Sequence, residues 1–505
     1  MTTGEVLAGV PLRSELPLPL AQTTVSGLDY DSRRVQPGYL FFAFPGARVD
    51  GREFARQAAE KGAIGVVSES AAPENPPLPW IQAEHGRHAL ALAAKTFYGR
   101  KDEKLSLTGI TGTNGKTTTS YLVDSILHAA GNTTLLVGTI AYQLAGKTLP
   151  AANTTPESLD LHRLLAQLDE AGGTHATMEI SSHALALGRV YGLHFHTAVF
   201  TNLTRDHLDF HGTMEDYFAA KKLLFTGSGG PPPKYAVLNR DDEWGRKLGE
   251  RPSGSAAARA AGPDVLWYGL GSDATVRARH IQSSLKGLQF EIVFEKLRFA
   301  VRSPMVGKIN VYNILAACCT GMTFQFPPEV IARGIEQCPG VPGRFERVDE
   351  GQPFAVIVDY SHTDDALRNA IQVARSLDAK RVITVFGCGG DRDRTKRPVM
   401  GQVAGELSDL VILTSDNPRS EEPLQIMNDV LVGLRRTDTK TIVEPDRAAA
   451  IHRAIKEANA GDVVILAGKG HETYQIFKDR TIHFDDREVA RDTLKEFGFA
   501  RAVTQ

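Results

Sequence analysis

Residues 109–120 form the stretch GITGTNGKTTTS, which follows an apolar segment and precedes a run with helical character. Its Gly-Lys-Thr at 115–117 supplies backbone N–H donors, an ammonium group and a hydroxyl, which suit nucleotide phosphates and Mg²⁺. The strict spacing GxxxxGK[ST] is missed, because its first glycine would fall on Ile110, while Gly112 lies nearby. The stretch therefore predicts a phosphate loop in an α/β fold, but it does not distinguish an ATPase, kinase, GTPase or ligase.

Strands and helices alternate on both sides of this loop. The central block contains the apolar segments LSLTGITG, TTLLVGTI, HATMEIS and HTAVFTNL, with a predicted helix from 117 to Gly131. A second block starts near 343 and contains FAVIVDYS, RVITVFGCGG, DLVILTSDNPR and DVVILAGKG. Such alternation predicts parallel, doubly wound sheets, in which the polar loops after the strands carry ligands.

The first hundred residues predict a smaller α/β unit. The segment 38–46 is a predicted strand, 51–63 a helix, and IGVVSE the next strand. The segments 226–234 and 251–262 are rich in Gly, Pro, Ser or Ala and are predicted surface loops. A chain of 505 residues is too long for one core, so several domains are expected.

Composition excludes several classes of protein. The chain has 57 basic and 59 acidic residues and a net charge of −2, so binding of nucleic acid through bulk positive charge is not expected. The four cysteines show no ligand spacing and fit a reducing compartment. No signal peptide and no long apolar run is apparent, so we expect a cytoplasmic protein that does not enter a membrane.

Several acidic and histidine side chains follow the phosphate loop. Glu179 ends the apolar segment HATME, where a carboxylate can ligate Mg²⁺ or order a water, or can simply face solvent. His207, Asp209 and His211 could form a metal cluster, although treating two of them as polar loop groups is the safer interpretation.

Lys221 lies within a predicted helix from Met214 to Phe225. At 100° per residue, Met214, Tyr217, Phe218, Leu224 and Phe225 share one apolar stripe that contains Lys221. A bare ammonium there requires a carboxylate, a phosphate or a chemical change, unless the side chain extends to solvent.

Many motifs then occur in an order that resembles the Mur ligase family, in the branch that adds meso-diaminopimelate. They are TGTNGKTT, EISSHAL, TNLTRDHLDFHG, YFAAK, GKINVYNILAA, GVPGRFE, DYSHTDDAL, GCGGDRDRTKRP, SDNPRSEEP and AGKGHE, together with DSRRVQPGYLFFAFPG near the N-terminus. The resemblance covers nearly the whole chain. It implies a UDP-substrate domain (1–102), a central ATP-binding P-loop domain with a doubly wound sheet (103–342), and a Rossmann-like domain for the amino acid (343–505).

The resemblance also implies a reaction. ATP would drive an amide bond between meso-diaminopimelate and the D-Glu γ-carboxylate of UDP-MurNAc-L-Ala-D-Glu through an acyl phosphate, in cytoplasmic peptidoglycan synthesis. The implied cofactors are ATP, two Mg²⁺ ions and a carbamate on Lys221. The implied partners are these small molecules, without nucleic acid or membrane, and the protein is expected to be a monomer.

Carried over by position, the resemblance assigns four sets of residues. The catalytic set is Lys116, Glu179, His207 and Lys221, and the metal ligands are Thr117, Glu179, His207 and carbamylated Lys221. The ATP set is Gly112, Thr113, Asn114, Gly115, Lys116, Thr117, Thr118, Asn310, Asn313, Arg344 and Asp359. The set for the UDP-linked dipeptide is Ser32, Thr154, Thr155, Ser181 and Arg189.

The diaminopimelate set is Arg392, Asp416, Asn417, Pro418, Arg419, Gly468 and Glu472. Arg419 would bind the carboxylate that lysine lacks, because a guanidinium suits a carboxylate through paired hydrogen bonds. Glu472 would bind the distal ammonium. Plainer interpretations remain: Asp-Asn-Pro as a turn, Glu472 as an acid at a helix start, Asn310 as a helix cap and Asp359 as a strand-end cap.

Some positions depart from the family pattern. Leu187 stands where some relatives carry Gln, and Ser361 and Asp364 replace the usual Ala and Pro around His362, which leaves the local loop shape open. The alternatives are a folylpolyglutamate synthase, a lysine-adding ligase, a nucleotide-binding switch without activity, and a kinase. The N-terminal unit and the DNPR segment disfavour a folylpolyglutamate synthase, and Arg419 disfavours a lysine-adding ligase. The full set of phosphate and metal residues disfavours an inactive switch. Release of a phosphorylated product would identify a kinase.

Overall fold

The computed structural model of the protein describes residues 1–46, 49–250 and 262–499. In these residues it contains a four-stranded, an eleven-stranded and a six-stranded sheet and a two-stranded ribbon. The predicted mixed α/β class with parallel, helix-covered sheets is confirmed. The predicted loop at 251–262 lies almost wholly outside the described residues.

The first sheet is parallel throughout and has the order β1-β2-β3-β4. The predicted helix over 51–63 is shorter: a 3₁₀ turn at Gly51–Phe54 leads into an α-helix that ends at Glu60. The elements are β1 Gly27–Asp29, β2 Tyr39–Phe42, β3 Gly65–Ser68 and β4 Trp80–Gln82, with α1 Thr3–Val6, α2 Leu18–Ala21, α3 Ala55–Glu60, α4 Gly86–Phe97 and a second 3₁₀ turn at Lys101–Glu103.

The second sheet has the order β15-β14-β13-β12-β11-β10-β5-β9-β6-β7-β8. Its strands are β5 Ser106–Thr111, β6 Thr134–Val137, β7 Ala141–Leu144, β8 Lys147–Pro150, β9 His175–Glu179, β10 Thr197–Phe200, β11 Tyr235–Asn239, β12 Asp264–Gly269, β13 Val276–Ser284, β14 Gly287–Phe294 and β15 Leu297–Ser303. Its helices are α5 Lys116–Ala129, α6 Ser158–Glu170, α7 Ser182–Ala186, α8 Leu208–His211, α9 Met214–Thr226, α10 Glu243–Gly249, α11 Lys308–Thr323 and α12 Pro328–Gln337.

The middle of this sheet, from β6 to β13, is parallel, and antiparallel pairings extend both ends. Successive residues of a strand face opposite sides, so β10 buries Val199 beneath α5 and α11 and buries Ala198 and Phe200 beneath α6 and α9. Burial on both faces explains the nearly continuous apolar runs in the sequence.

The third sheet has the order β16-β17-β21-β18-β19-β20, in which only β16 is antiparallel. The elements are β16 Glu346–Val348, β17 Ala355–Asp359, β18 Val382–Phe386, β19 Leu410–Leu413, β20 Lys440–Val443 and β21 Val463–Ala467, the ribbon β22 Tyr474–Ile476 and β23 Thr481–His483, and α13 Asp364–Arg375, α14 Lys396–Leu407, α15 Pro423–Leu434, α16 Arg447–Glu457 and α17 Asp486–Glu496. The loops after β17, β18, β19 and β21 meet at one edge, where open parallel sheets bind ligands.

The length and polarity of the helices bear on membrane insertion. In the three described ranges, each helix is either too short or too polar to cross a bilayer.

Candidate active site

The phosphate loop connects β5 to the N-terminus of α5. Gly112 and Gly115 have φ of 148° and 85°, which L side chains rarely adopt. A Cβ on Gly112 would overlap the hydroxyl of Thr201, and one on Gly115 would overlap the amide of Asn313. Both positions therefore require glycine, and the backbone can approach a ligand closely at the helix N-terminus.

Lys116 folds back over this loop. Its Nζ donates to the carbonyl oxygens of Gly112 and Thr113, each at 2.9 Å. Burial lowers the pKa of Lys116, and Glu179 and Asp206 partly oppose that shift. An anionic group in front of the loop would favour the ammonium form.

Thr117 and Glu179 form a buried pair of oxygen donors. Glu179 ends β9 and has no exposed surface, so the alternative of a solvent-facing carboxylate is wrong. Its Oε2 accepts from Thr117 Oγ1 at 2.9 Å and from Thr139 Oγ1 at 3.1 Å, and its Oε1 accepts from Thr139 N at 2.9 Å. Hydroxyl and carboxylate oxygens are the donors that Mg²⁺ prefers, so this pair fits that ion.

His207 lies on the same cleft, beside Asp206. Its backbone has a φ of 54°, and its Nε2 is 3.4 Å from Asp206 Oδ2. Burial lowers the pKa of His207 to about 4, against the effect of Asp206. The neutral imidazole is the form that ligates metals. Among the described residues, no three His, Cys, Asp or Glu side chains lie close enough together to hold an ion by themselves.

Lys221 is buried in the helix predicted for it. The side chain is 1% exposed, so extension to solvent is wrong. Its Nζ donates to the Gly112 carbonyl at 2.9 Å and lies 4.5 Å from the centre of the Tyr217 ring. Burial, followed by the charge of Lys116, shifts the pKa of Lys221 well below its ordinary value. Burial therefore favours the neutral amine, which is the nucleophilic form of this side chain.

A cavity of about 270 Å³ lies between the second and third sheets. Most of the residues predicted for ATP line it, and so do several predicted catalytic and dipeptide residues. From the predicted sets its lining includes Thr113, Asn114, Gly115, Lys116, Thr117, Thr118, Thr154, Glu179, Ser181, His207, Asn310, Asn313, Arg344 and Asp359.

The third sheet contributes Arg344 and Asp359 to this cavity. Arg344 Nη2 donates to Thr117 Oγ1 at 3.1 Å, and its guanidinium lies 4.6 Å from the ring centre of Tyr360. Asp359 ends β17 and accepts hydrogen bonds from Phe345 N, at 2.7 Å, and from the Ser361 hydroxyl. Ser361, which departs from the family pattern, thus holds this carboxylate.

Asn310 and Asn313 lie in the first turns of α11. The helix begins after Gly307, so the interpretation of Asn310 as its cap is wrong. Asn310 Nδ2 donates to Val306 O at 2.8 Å, and Asn313 Nδ2 donates to Asn310 Oδ1 at 2.9 Å. The two amides therefore form one buried polar strip beside the phosphate loop.

Direct contacts join the phosphate-loop side to α13. Asn114 Nδ2 donates to Asp365 Oδ2 at 2.9 Å, and Arg205 Nη2 lies 3.2 Å from Asp364 Oδ1. Asp364, the other departure in this loop, thus provides a charge where the family pattern has proline. The second and third sheets are consequently held against each other around the cavity.

The residues predicted for the UDP-linked dipeptide occupy two places. Thr155 Oγ1 donates to Glu179 O at 2.8 Å and Arg189 Nη1 donates to Thr155 O at 2.9 Å, so both brace the cavity wall. Ser32 lies in the first unit, where its hydroxyl donates to Gln57 Oε1 at 2.5 Å. The cavity lining contains no described residue from 1–102.

The loops after β18 and β19 hold Arg392 and Arg419 on one side of the third sheet. Arg419 has a φ of 52°, its N donates to Ile476 O at 3.0 Å, and its Nη1 donates to Gly390 O at 2.7 Å. Arg392 Nη1 donates to Asp391 O at 3.2 Å. A Cβ on Gly389 would come within 2.9 Å of Arg419 Nη1, so the glycine leaves room for the guanidinium.

Asp416, Asn417 and Glu472 form the opposite part of this region, and Pro418, which follows Asn417, is buried. Asn417 Nδ2 donates to Glu472 Oε2 at 2.8 Å. Glu472 lies in the loop between β21 and β22, so its interpretation as an acid at a helix start is wrong. A Cβ on Gly468, which has a φ of 114°, would come within 2.6 Å of Asp416 Oδ2.

Sequence reasoning missed Lys469 and Asp206. Lys469 is fully buried, and its Nζ lies 3.3 Å from Glu472 Oε2 and 3.9 Å from Asp416 Oδ1. Asp206 lines the cavity beside His207. Lys469 falls inside the motif AGKGHE, and Asp206 falls inside TNLTRDHLDFHG. Each is a charged residue close to a residue that had been assigned to the site, and that position could have indicated a role.

Comparison with known families divides the chain into three matching segments. Residues 24–98 match the description "Mur ligase family, catalytic domain", residues 110–321 match "Mur ligase middle domain", and residues 343–470 match "Mur ligase, glutamate ligase domain".

Curated relatives match over nearly the whole chain. The UDP-N-acetylmuramoyl-L-alanyl-D-glutamate--2,6-diaminopimelate ligase of Solibacter usitatus (strain Ellin6076) is 66% identical over 499 residues, which is 99% of each chain. The enzyme of that name from Geobacillus thermodenitrificans (strain NG80-2) is 45% identical and covers 94% of this chain and 95% of its own.

Solved structures share the fold. A structure titled as a UDP-N-acetylmuramoyl-L-alanyl-D-glutamate--2,6-diaminopimelate ligase has a TM-score of 0.69 and 32% identity, covering 96% of this chain and 98% of its own. MurF from Acinetobacter baumannii has a TM-score of 0.66 at 20% identity, covering 92% and 95%, and is similar in fold alone. With the relatives, the matched segments and the geometry in agreement, this chain belongs to the Mur ligase family.

Proposed function

We propose that this protein is an ATP-dependent ligase that joins meso-diaminopimelate to the D-Glu γ-carboxylate of UDP-MurNAc-L-Ala-D-Glu. The observation that carries the proposal is the cavity in which the phosphate loop, Glu179 and Arg344 converge. The relative that is 66% identical is named for this activity, and the alignment covers 99% of its length. This similarity supports the choice of substrates. The reaction belongs to peptidoglycan precursor synthesis, and we place it in the cytoplasm with the protein as a monomer.

The proposed domains divide the work. Residues 1–102 would bind the UDP end of the precursor through Ser32, 103–342 would bind ATP, and 343–505 would bind the amino acid. Thr154 and Ser181 line the cavity next to Glu179, which supports their contact with the dipeptide end of the precursor. Thr155 and Arg189 do not line the cavity. They would support the dipeptide site indirectly, through the hydrogen bonds that link them to Glu179 in its wall.

ATP is a substrate here, and the protein's task is to position its phosphates. Lys116 would move from its two loop carbonyls to the β- and γ-phosphates, while the N–H groups at the start of α5 bind the same anions. Arg344 would add a second cation from the third sheet. Asn310, Asn313 and Asp359 would contact the nucleoside part.

Thr117 and Glu179 would hold one Mg²⁺, and His207 would help to hold a second. When bound, these ions neutralise the charge of the phosphates and of the developing transition state. The pair of buried oxygens fits that use, because Mg²⁺ in nucleotide sites takes few protein ligands and completes its shell with phosphates and water.

Bond formation would then proceed in two steps. The γ-carboxylate of D-Glu attacks the γ-phosphorus of ATP, the bond to ADP breaks, and an acyl phosphate forms. The amine of diaminopimelate attacks the acyl carbon, phosphate leaves with the electron pair, and the amine loses a proton. Positioning and charge neutralisation by the named side chains would supply most of the rate enhancement.

Lys221 would carry a carbamate in the working enzyme. The neutral form of its buried amine, which burial favours, would attack CO₂. This step forms a carbamate and releases a proton, and the product would be an anionic oxygen ligand close to the phosphate loop. We expect Lys221→Ala to lose most activity and short carboxylic acids to restore part of it. Full activity of this variant would exclude the carbamate.

Arg419 would select diaminopimelate over lysine by binding its distal carboxylate. Arg392, Asp416, Asn417, Pro418 and Gly468 would shape the rest of this pocket, and Glu472 would bind the distal ammonium.

The proposed function is tested by phosphate release from ATP with UDP-MurNAc-L-Ala-D-Glu and either meso-diaminopimelate or L-lysine, with the products identified by mass. Turnover with diaminopimelate alone is the expected result. Turnover with lysine would keep the ligase and refute the assigned specificity, and a phosphorylated product without an amide would identify a kinase instead.

A further inference from the structure

Lys469 is a buried charged side chain of the amino-acid region to which the proposed mechanism gives no role. It is fully buried, two residues after the end of β21, and no solvent reaches its ammonium group. Its Nζ donates to Asn417 Oδ1 at 3.2 Å and to Glu472 Oε2 at 3.3 Å, with Asp416 Oδ1 at 3.9 Å and the Tyr474 ring centre at 5.7 Å. A buried ammonium is costly, so its retention between these groups calls for an explanation.

The contacts of Lys469 determine how the Asn417 amide is oriented. Asn417 Oδ1 accepts from both Lys469 Nζ and the backbone N of Ile476, at 3.2 and 3.0 Å. The oxygen therefore points to Lys469, and the amide nitrogen is left to donate to Glu472 Oε2 at 2.8 Å.

The same contacts leave one oxygen of Glu472 available. Both hydrogen bonds to this carboxylate end on Oε2, and Oε1 receives none from any residue that the structure describes. The Glu472 side chain is 14% exposed, so it borders open space while its inner oxygen is held in place.

The charges around Glu472 also favour binding of a cation there. Asp416 and Glu472 bring two carboxylates together, and Lys469 neutralises one, so that the group keeps a single net negative charge. Burial and Asp416 raise the pKa of Glu472, and Lys469 and Asn417 lower it. The titratable and charged groups near Glu472 include Asp416, Lys469, Tyr360, Tyr474 and the Arg447–Asp486 pair, and Arg419 acts on Tyr474 from the neighbouring loop.

We propose that Lys469 is a positioning residue for substrate specificity, which orients Asn417 and Glu472 so that Glu472 Oε1 receives the distal ammonium of the incoming diamino acid. This inference rests on the proposed function, and it adds a residue that acts through its neighbours. Lys469 leaves the two carboxylates of Asp416 and Glu472 with one net negative charge, which matches one ammonium group.

The test compares two substrates that differ only in that ammonium. meso-Diaminopimelate and 2-aminopimelate share both carboxylates and the reacting amine, but the second lacks the distal amine. We expect the unmodified protein to prefer diaminopimelate in kcat/KM, and Lys469→Met to reduce that preference at least about tenfold, because charged hydrogen bonds of this kind are lost. The KM for ATP should not change.

Two further variants distinguish positioning from stability. Lys469→Gln keeps a donor but removes the charge, and it is used if the methionine variant does not fold; a smaller loss of preference in the same direction is expected. Lys478→Met removes an exposed lysine two residues beyond β22 and should behave like the unmodified protein. The acid limb of the kcat/KM profile for diaminopimelate should move to higher pH in the Lys469 variants, because the Glu472 pKa rises when its cation is removed.

The outcomes separate the inference from the proposed function. If folded Lys469 variants keep the preference for diaminopimelate, or lose activity equally with both substrates, the positioning role is overturned while the ligase assignment stands. If the unmodified protein does not turn over with diaminopimelate at all, the proposed function fails, and this inference fails with it.

Discussion

Replacement of Arg419 by alanine tests the specificity assignment most directly. In the structure its guanidinium donates to Gly390 O at 2.7 Å. No described residue accepts a hydrogen bond from the other N–H groups of the guanidinium. The backbone N of Arg419 donates to Ile476 O at 3.0 Å, which an alanine would retain. The substitution therefore removes donors while it leaves the main anchor of the loop in place.

The expected loss follows from those free donors. Two charge-assisted hydrogen bonds to the distal carboxylate would contribute about 2–3 kcal/mol, toward the lower end because Arg419 is only half-buried. We therefore expect kcat/KM for diaminopimelate to fall by roughly 30- to 100-fold. Lysine has no such carboxylate, so its kcat/KM should not fall.

The assay measures phosphate release over a range of diaminopimelate and lysine concentrations, with the amide product quantified by mass. A folded Arg436→Ala variant serves as the comparison, because it removes an exposed guanidinium that belongs to none of the assigned sets. Equal losses with both amino acids in Arg419→Ala would mean that Arg419 supports the loop and does not select the substrate, and the reasoning would be refuted.

Three further predictions concern the metal, a buried ion pair and pH. Glu179→Gln keeps the side-chain volume but removes the charge, so half-maximal activity should require roughly tenfold more Mg²⁺ in a titration, and an unchanged requirement would argue against the assigned ligand. Arg447→Met breaks the fully buried pair with Asp486, whose atoms are 2.6 Å apart, and should lower the free energy of unfolding in urea by about 3–5 kcal/mol; a loss below about 1 kcal/mol would contradict this. Burial lowers the pKa of His162 from 6.5 to about 4, so the unfolded state binds more protons between those pH values and stability should fall as the pH drops from 6.5 toward 4. His162→Leu should flatten that part of the urea stability profile, and an unchanged slope would exclude His162 as its source.

Local sequence patterns were sufficient for much of the fold. Strands β5, β9, β10, β17, β18, β19 and β21 lie within the predicted apolar segments, and α9 begins at the predicted Met214 and ends one residue beyond the predicted Phe225. These elements depend on residues that are two to four positions apart, so periodicity is visible without knowledge of the rest of the chain. The prediction of a helix over 51–63 was less accurate, because a 3₁₀ turn and an α-helix have a similar spacing of apolar residues.

The candidate site was predictable mainly through its motifs, and its roles remain predictions. Glu179 and Lys221 illustrate what a motif predicts and what depends on packing. Their sequence positions indicated a ligand and a buried amine, but whether either side chain faced solvent depended on the packing of other elements. The structure buries both, next to the phosphate loop.

The sequence by itself determined the phosphate loop, the helix that carries Lys221, and the alternation of strands and helices in its sheets. Only the tertiary structure decided that Arg344 contacts Thr117, 227 residues away, and that Lys469 lies between Asn417 and Glu472. The physical reason is distance along the chain. Local geometry follows from neighbouring residues, whereas these contacts depend on how crossover connections bring remote strand ends to the same edge of a sheet.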